Sequence, residues 1–212
     1  MRLPMLLVAL LGLGACTYDA ELGKFVPPPI AEQPTPVPYV ATKDGPHSLP
    51  AIPLDKVNPA FQRTLVPNPV RTEAPGTIVI DTANRFLYLV QDEASALRYG
   101  ISVGREGFDW KGEAVVSRFA QWPTWTPPPE MIKRQPELAK WAEGQPGGPR
   151  NPLGARAIYL TQGGVDTGYR IHGTPEWSSI GRAASSGCIR MVNQDVIDLY
   201  GRVQKGAKVI VK

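Results

Sequence analysis

The alternation of apolar and polar residues predicts β-strands from Gly76 to the C-terminus. Residues 77–81 and 85–91 are rich in β-branched and aromatic side chains and flank a short turn, which predicts a hairpin. Similar segments predict further strands at residues 97–103, 114–122, 155–160, 168–172 and 208–212. Because residues 76–212 are enough for one packed core, we expect a mainly β, sandwich-like domain there.

One short helix is expected near the C-terminus, over residues 193–203. Asn193 is suited to cap its N-terminus, and Gly206 lies just beyond its end. Its apolar residues recur three and four positions apart and predict one buried face: Val196, Leu199, Tyr200 and Val203.

Residues 127–149 do not fit a strand. Two segments, 128–134 and 136–143, each begin with proline and predict short helical turns. We interpret this insertion as a small helical lid over a functional site. The tryptophans in or beside it either form apolar walls for a ligand or pack as ordinary core residues: Trp122, Trp125 and Trp141.

The N-terminus predicts an exported lipoprotein. A positive start at Arg2 precedes an apolar run over residues 3–13, which is too short to span a membrane and is typical of a signal peptide over residues 1–15. The following Cys16 completes a lipobox, so we expect lipidation there and an anchor in the membrane. Thr17 favours the periplasmic face of the outer membrane. The alternative is a plain secretory signal with an unused cysteine.

Residues 16–75 are expected to be a tether between this anchor and the domain. Thirteen of the 23 prolines lie between Pro27 and Pro75, a composition that favours extended backbone. Residues 58–66 are apolar enough to pack onto the domain, whereas His47 is expected in a loop.

Charge and composition exclude several classes of function. The net charge is +4 and the isoelectric point is near 9.1, which suits a partner that bears carboxylates. Because the charges are interspersed, nucleic acid is not an expected partner. Apart from Cys16, the possible soft ligands are Cys188, His47 and His172, so no metal or other cofactor is expected.

Cys188 and His172 are the candidate catalytic pair. A free thiol has a pKa near about 8.5, and an adjacent imidazole is the usual means of raising its thiolate fraction. If Cys16 carries lipid, Cys188 has no disulfide partner in the chain, and an unpaired thiol in an exported protein calls for a function. Taken alone, Cys188 is as readily interpreted as a small buried core residue.

The surrounding residues favour catalysis. Twelve residues lie between His172 and the segment Ser185-Ser-Gly-Cys-Ile-Arg190, and this arrangement resembles the signature of the L,D-transpeptidase (YkuD-type) catalytic domain. The resemblance covers residues 76–212 and includes the Trp- and Pro-rich segment 122–129 and the segment 147–155. It implies the same sandwich-like fold and a lid that borders the substrate groove. Many members carry a second histidine where this chain has Ser186, so its role falls either to the Ser186 hydroxyl or to no residue.

The resemblance also implies roles for neighbouring residues. The backbone carbonyl of Gly173 is expected to orient His172, and the amides of Gly187 and Cys188 are the expected oxyanion hole. Arg190 shares a strand face with Cys188 by alternation and suits either a substrate carboxylate or a structural salt bridge. Substrate binding is also expected from two aromatic residues, Trp125 and Tyr169.

These features predict a peptidoglycan L,D-transpeptidase. Cys188 is expected to attack an amide of a donor stem peptide, and the resulting thioester passes to an amine: another diaminopimelate, the lysine of a small lipoprotein, or the N-terminus of an outer-membrane protein. Two alternatives stay open. One is a carboxypeptidase or amidase on the same scaffold, in which water replaces the amine. The other is a catalytically silent wall-binding lipoprotein.

Overall fold

A computed structural model describes residues 39–104, 110–185 and 187–212, together with the backbone of two short strands that precede them. The chain divides into two compact units, Met1–Thr35 and Pro36–Lys212. In the first unit, β1 (Thr17–Asp19) pairs antiparallel with β2 (Lys24–Val26). The predicted signal peptide, residues 1–15, and the predicted lipidation site, Cys16, lie outside the described residues.

The second unit consists mainly of β-strands, which confirms the predicted fold class. The strands are β3 (Thr42–Asp44), β4 (His47–Leu49), β5 (Thr64–Pro67), β6 (Ile78–Asp81), β7 (Phe86–Val90), β8 (Ser95–Gly100), β9 (Val103–Gly104), β10 (Gly112–Gln121), β11 (Arg156–Gln162), β12 (Val165–Thr174), β13 (Ala183–Ser185), β14 (Ile189–Val192) and β15 (Lys208–Val211). The α-helices are α1 (Pro129–Arg134) and α2 (Asn193–Arg202).

Most of these strands form one continuous sheet, in the order β14-β12-β11-β10-β15-β6-β7-β8-β5. Its pairs are antiparallel except for β12 with β14 and β15 with β6, which are parallel. Strand β6 lies in the interior of the sheet and is buried on both faces, which explains its unbroken apolar run, Ile78-Val-Ile80. The short pairs β3–β4 and β9–β13 lie outside this sheet.

The sheet encloses one hydrophobic core, so its distant strands pack on one another in the manner of a sandwich. Leu87 and Tyr99 come from one half of the sheet, and Ile158 and Ile171 come from the other half. Leu199 of α2 belongs to the same cluster, and all five side chains are fully buried. Burial of each large apolar side chain contributes about 1.5–3 kcal/mol to folding.

The predicted C-terminal helix is present, but Asn193 does not cap it. Asn193 is the first helical residue, and Val192 precedes it without a side-chain cap. The Asn193 side chain instead accepts a hydrogen bond from the Ala155 amide at 2.8 Å and donates one to the Thr174 carbonyl at 3.1 Å. The residue therefore ties the start of α2 to β12 and to the chain before β11.

The predicted insertion contains the expected helical turns. α1 is followed by a 3₁₀ helix, Pro136–Trp141. Trp125 pairs with Gln145 through two backbone hydrogen bonds of 2.9 and 2.7 Å. The buried Asn151 side chain donates to the carbonyls of Pro123, Gln145 and Pro146 at 3.0–3.1 Å, which holds the two ends of the insertion together.

The structure differs from the predicted tether over residues 39–75. This segment packs against the domain: Tyr39 and Val57 are buried against Val192, and β5 extends the sheet beside β8. Its prolines are compatible with this packing, because they lie in turns and loops, at the edge of the sheet or, for Pro59, at the first residue of a 3₁₀ helix. The folded unit therefore begins before residue 76.

A buried polar cluster anchors the same segment to α2. The Tyr39 hydroxyl donates to Asp195 at 2.9 Å and accepts from the Arg63 amide at 2.9 Å. The Arg63 guanidinium lies 2.8 Å from Asp198 and 3.6 Å from Asp195. Burial raises the pKa of Asp195 to about 7, although the Arg63 charge acts in the opposite direction.

Within the described ranges, no helix has the length and apolar character needed to cross a membrane.

Candidate active site

Neighbouring parallel strands position the two predicted catalytic residues: His172 lies in β12, and Cys188 directly precedes β14. His172 of β12 lies opposite Arg190 of β14, and Ile171 lies opposite Ile189. Ile171 and Ile189 point into the hydrophobic core. Because side chains alternate along a strand, His172 and Arg190 project from the other face, and Cys188, two residues before Arg190, is expected on that face too.

The His172 imidazole is buried and its orientation is fixed. Its side chain Nδ1 lies 2.6 Å from the Gly173 carbonyl oxygen, which is the contact expected from the sequence. A carbonyl only accepts, so Nδ1 carries the proton and Nε2 keeps a free lone pair. Burial, together with the charges of Arg190 and Arg170, lowers the pKa of His172 to about 4, although the hydrogen bond with the Gly173 carbonyl acts in the opposite direction. His172 is therefore neutral near pH 7 and able to accept a proton at Nε2.

Gly173 permits this geometry because it lacks a side chain. A Cβ at this position would collide with Asn193 Oδ1 and would lie 3.1 Å from the Ala155 amide nitrogen. The same Asn193 oxygen accepts the Ala155 hydrogen bond. Asn193 thus packs directly behind the peptide whose carbonyl orients His172.

Cys188 carries a free, partly buried thiol in a turn held by Ser185. The Ser185 hydroxyl donates to the Cys188 carbonyl at 2.6 Å and accepts from the Gly187 amide at 3.2 Å. Gly187 has a φ of 116°, a conformation that favours glycine. Of the two amides predicted to form an oxyanion hole, the Gly187 amide is therefore already engaged, whereas no hydrogen bond in the described part of the chain occupies the Cys188 amide.

Burial raises the pKa of the Cys188 thiol. The backbone N–H of Arg170 and the charges of Arg170 and Arg190 lower it, but burial has the larger effect. The sequence led us to expect an imidazole that raises the thiolate fraction at rest. The structure instead holds a neutral thiol and a neutral imidazole, because both groups are shielded from water.

Arg190 lies at the edge of this pair. Its backbone N–H and carbonyl both bond Ser102, at 2.8 and 2.9 Å, and its side chain is 21% exposed. Its Nη1 approaches Glu176 Oε2 at 3.4 Å. The guanidinium is thus beside the catalytic face and contacts a surface carboxylate.

Of the two aromatic residues predicted to bind substrate, the structure brings only Tyr169 to the turn that carries Cys188. Tyr169 stacks on Trp110 with ring centroids 5.3 Å apart. Both line a small pocket beside Gly187, whose walls also include Thr82, Val103, Gly104, Ile189 and Val211. Trp125 lies in the insertion, paired with Gln145, and none of its described contacts reaches Cys188 or His172.

Residues 75–211 match the L,D-transpeptidase catalytic domain family (YkuD). The chain belongs to this family. It is 34% identical over 155 residues to the probable L,D-transpeptidase ErfK/SrfK of Escherichia coli K12; this alignment covers 70% of the chain but 46% of the relative. The chain therefore spans less than half the length of that relative.

Solved structures share the fold. A Brucella melitensis protein, described as a probable carnitine operon oxidoreductase, is 48% identical, with a TM-score of 0.51 over 74% of this chain and 96% of its own. The Ldtfm–avibactam carbamoyl enzyme is 19% identical, with a TM-score of 0.50 over 66% of this chain and 49% of its own. The second comparison supports the fold alone.

Two contributors to this candidate site were not predicted. The sequence indicated Ser185 only as part of the motif and gave it no role of its own. Hydrogen bonds from a serine hydroxyl to a nearby backbone carbonyl, here that of Cys188, are nevertheless a common local pattern. The Arg170 backbone N–H lowers the pKa of the Cys188 thiol from the neighbouring strand β12, and no local signal marks it. Ser186, which stands where many members carry the second histidine, lies outside the described residues.

The described residues contain no group of three or more histidine, cysteine or carboxylate side chains placed to hold a metal ion.

Proposed function

We propose that this protein is a peptidoglycan L,D-transpeptidase in which Cys188 is the nucleophile and His172 is the base. The observation that carries the proposal is the neutral imidazole, fixed through Nδ1 by the Gly173 carbonyl on the face expected to carry the thiol. This arrangement leaves Nε2 as the proton acceptor, as general base catalysis requires.

The first half-reaction transfers the donor peptide to sulfur. As Cys188 attacks the amide carbon, its proton passes to His172, and negative charge develops on the amide oxygen. The Cys188 amide is available to donate to that oxygen, and the Gly187 amide joins it once it leaves Ser185. The C–N bond then breaks, the departing D-amino acid takes the proton from His172, and a thioester remains.

The second half-reaction regenerates the enzyme. An acceptor amine attacks the thioester carbon and loses a proton to His172, and the thiolate leaves and takes that proton back. Because His172 is buried, Cys188 is partly buried and both are neutral at rest, charge separates only while acyl transfer proceeds. The neutral resting thiol therefore reacts more slowly with other electrophiles between turnovers.

We further propose that Cys16 carries a lipid that anchors the protein at the periplasmic face of the outer membrane. The support is the lipobox that precedes Cys16 and the short apolar run before it. In that location an outer-membrane protein or a small lipoprotein is an available amine acceptor, in addition to a second stem peptide. Labelling with a radioactive fatty acid tests the anchor: Cys16→Ala is expected to abolish incorporation, whereas label retained in that variant would contradict it.

Mass spectrometry of the purified protein tests the reaction. Incubated with a disaccharide tetrapeptide, the protein is expected to gain the mass of the donor minus its terminal D-amino acid, and a cross-linked dimer of muropeptides is expected to accumulate. Cys188→Ser should form neither product, since a hydroxyl is far less acidic than a thiol. This variant is expected to keep its fold. Accumulation of the free tripeptide alone would indicate a hydrolase. No covalent adduct and no product from the folded wild type would favour a wall-binding role.

A further inference from the structure

Arg190 combines a fixed backbone with a weakly bound side chain. Both of its backbone polar groups bond Ser102, so its Cα position beside Cys188 is set. The only acceptor that its guanidinium contacts among the described residues is Glu176, through one nitrogen at 3.4 Å. An arginine offers five N–H donors, so most of the binding capacity of Arg190 is unused.

Other arginine–carboxylate pairs of the domain have a different hydrogen-bond geometry from that of Arg190 with Glu176. Three of them bind a carboxylate through two nitrogens at 2.6–3.0 Å: Arg156 with Asp44, Arg170 with Asp166, and Arg202 with Asp198. Two-point binding is the preferred geometry between arginine and a carboxylate. The contact of Arg190 with Glu176 is longer and has a single point, so an incoming carboxylate is able to replace it.

Glu176 has the opposite combination of a fixed backbone and a free side chain. Its amide donates to Thr174 Oγ1 at 3.1 Å, and its carbonyl accepts from the Ser179 amide at 3.0 Å and from Ser179 Oγ at 2.7 Å. Its side chain is 70% exposed and has no other described partner. The carboxylate is thus held near Arg190 and is free to swing into solvent.

We propose that Glu176 is a stand-in for a carboxylate of the donor peptide. In the free protein it partly neutralises Arg190, and on binding the substrate carboxylate takes its place with two-point geometry. This inference rests on the proposed function, because stem peptides carry the required groups: the terminal carboxylate and that of the diaminopimelate side chain. Glu176 then acts as an internal competitor that determines specificity for donors with a free carboxylate.

Competition between Glu176 and a substrate carboxylate for Arg190 predicts the direction in which donor affinity changes when Glu176 is replaced. Glu176→Gln removes the competing charge and keeps the length of the side chain, so donors with the free carboxylate should bind more tightly. A donor that is amidated at the relevant carboxylate does not compete for Arg190, so its affinity should be unchanged. Since the backbone of Glu176 makes all its structural hydrogen bonds, the variant is expected to fold normally.

Calorimetric titration of the full chain tests the inference without turnover, in the Cys188→Ser background. Four tetrapeptides are compared: with both carboxylates free, with the terminal one amidated, with the side-chain one amidated, and with both amidated. Glu176→Gln is expected to lower the Kd of the free peptide about fivefold. This gain should disappear for at least one of the two peptides that are amidated at a single carboxylate. The carboxylate whose amidation removes the gain is the one that Arg190 binds.

Two further variants provide the controls. Glu93→Gln makes the same charge change at an exposed glutamate with no described side-chain contact, and it should leave every Kd unchanged. Arg190→Gln should weaken binding of the free peptide about tenfold and should cancel the gain from Glu176→Gln in the double variant. An equal gain for the doubly amidated peptide, no gain for the free peptide, or no measurable binding of any peptide would overturn the inference. Binding as expected together with failed acylation of Cys188 would instead contradict the proposed function.

Discussion

At position 173, any side chain larger than that of glycine would occupy space that Asn193 already fills. Gly173→Ala would force the Asn193 oxygen away from the Ala155 amide, because a Cβ collides with it. Overpacking of this kind typically costs about 1–3 kcal/mol. We expect a loss of about 2 kcal/mol in the free energy of unfolding, together with slower acylation of Cys188, because the carbonyl that orients His172 moves.

Urea denaturation measures the stability of Gly173→Ala, and Gly201→Ala is the matched control. Gly201 lies in α2, and a Cβ there would meet no atom within 4 Å. Alanine has the higher helix propensity, so this variant should be more stable by up to about 1 kcal/mol. Equal effects of the two substitutions would mean that Asn193 yields without cost and would contradict the packing argument.

Contacts were predictable where they are local. The hydrogen bond between the His172 side chain and the Gly173 carbonyl joins neighbouring residues of the motif and was expected. The catalytic roles of His172 and Cys188 stay predictions. The resting protonation state did not follow, because burial of His172 and Cys188 comes from strands distant in sequence. The actual contacts of Asn193 were hidden for the same reason: its partners, Ala155 and Thr174, are 38 and 19 residues away.

At the scale of elements, the β3–β4 hairpin is attached to the base of the insertion. Asp44 accepts two hydrogen bonds from Arg156, at 2.6 and 2.8 Å, and one from Trp122 Nε1 at 2.8 Å. The His47 ring lies against Trp122, with centroids 4.3 Å apart. The hairpin precedes residues 75–211, which match the family, so a segment outside the matched domain supports the insertion.

Asp44→Asn tests this attachment. Arg156 is 7% exposed, and loss of its partner leaves a largely buried charge, which costs about 3–5 kcal/mol in fully buried pairs. Because Asp44 is 19% exposed, we expect a smaller loss of about 2 kcal/mol, and faster proteolysis within residues 123–154. Glu130→Gln, which removes an exposed pair with Lys133, should change neither stability nor cleavage. Cleavage of both variants at the wild-type rate would show that the hairpin does not support the insertion.

Strands and helices were predicted well where side chains alternate or repeat along a single element. β6, β7 and α2 have such patterns because each presents regular faces to the core. The segment from residue 39 to residue 75 was predicted as a tether because prolines dominate its composition. Its packing depends on single long-range contacts, such as that of Tyr39 with Asp195, which leave no periodic signal.

At the scale of the whole molecule, His172 makes folding sensitive to acid. Its pKa is about 4 in the folded protein and 6.5 in an unfolded chain, so between these values the unfolded state binds more protons. The stability associated with neutral burial is complete above pH 6.5 and declines as the pH falls toward 4. This shift corresponds to a loss of about 2 kcal/mol between pH 8 and pH 5.

Urea denaturation of the wild type and of His172→Gln at pH 8 and pH 5 measures this contribution. Glutamine cannot take up a proton in this range, so the variant should lose about 2 kcal/mol less than the wild type on acidification. The comparison between the two proteins cancels the carboxylates that titrate in both. The same loss in wild type and variant would mean that His172 is accessible to protons in the folded state.

The position of β15 constrains the order in which the chain completes its fold. β15 is the last of the described strands, yet it lies in the interior of the sheet between β10 and β6. Within the sheet, the half that contains β6, β7 and β8 and the half that contains β10, β11, β12 and β14 therefore meet at β15. Domains made of such non-local pairings close slowly, because distant segments must find one another. Among the described strands, the one that closes the sheet is therefore made last, and β10 and β6 lack their shared partner until β15 is available.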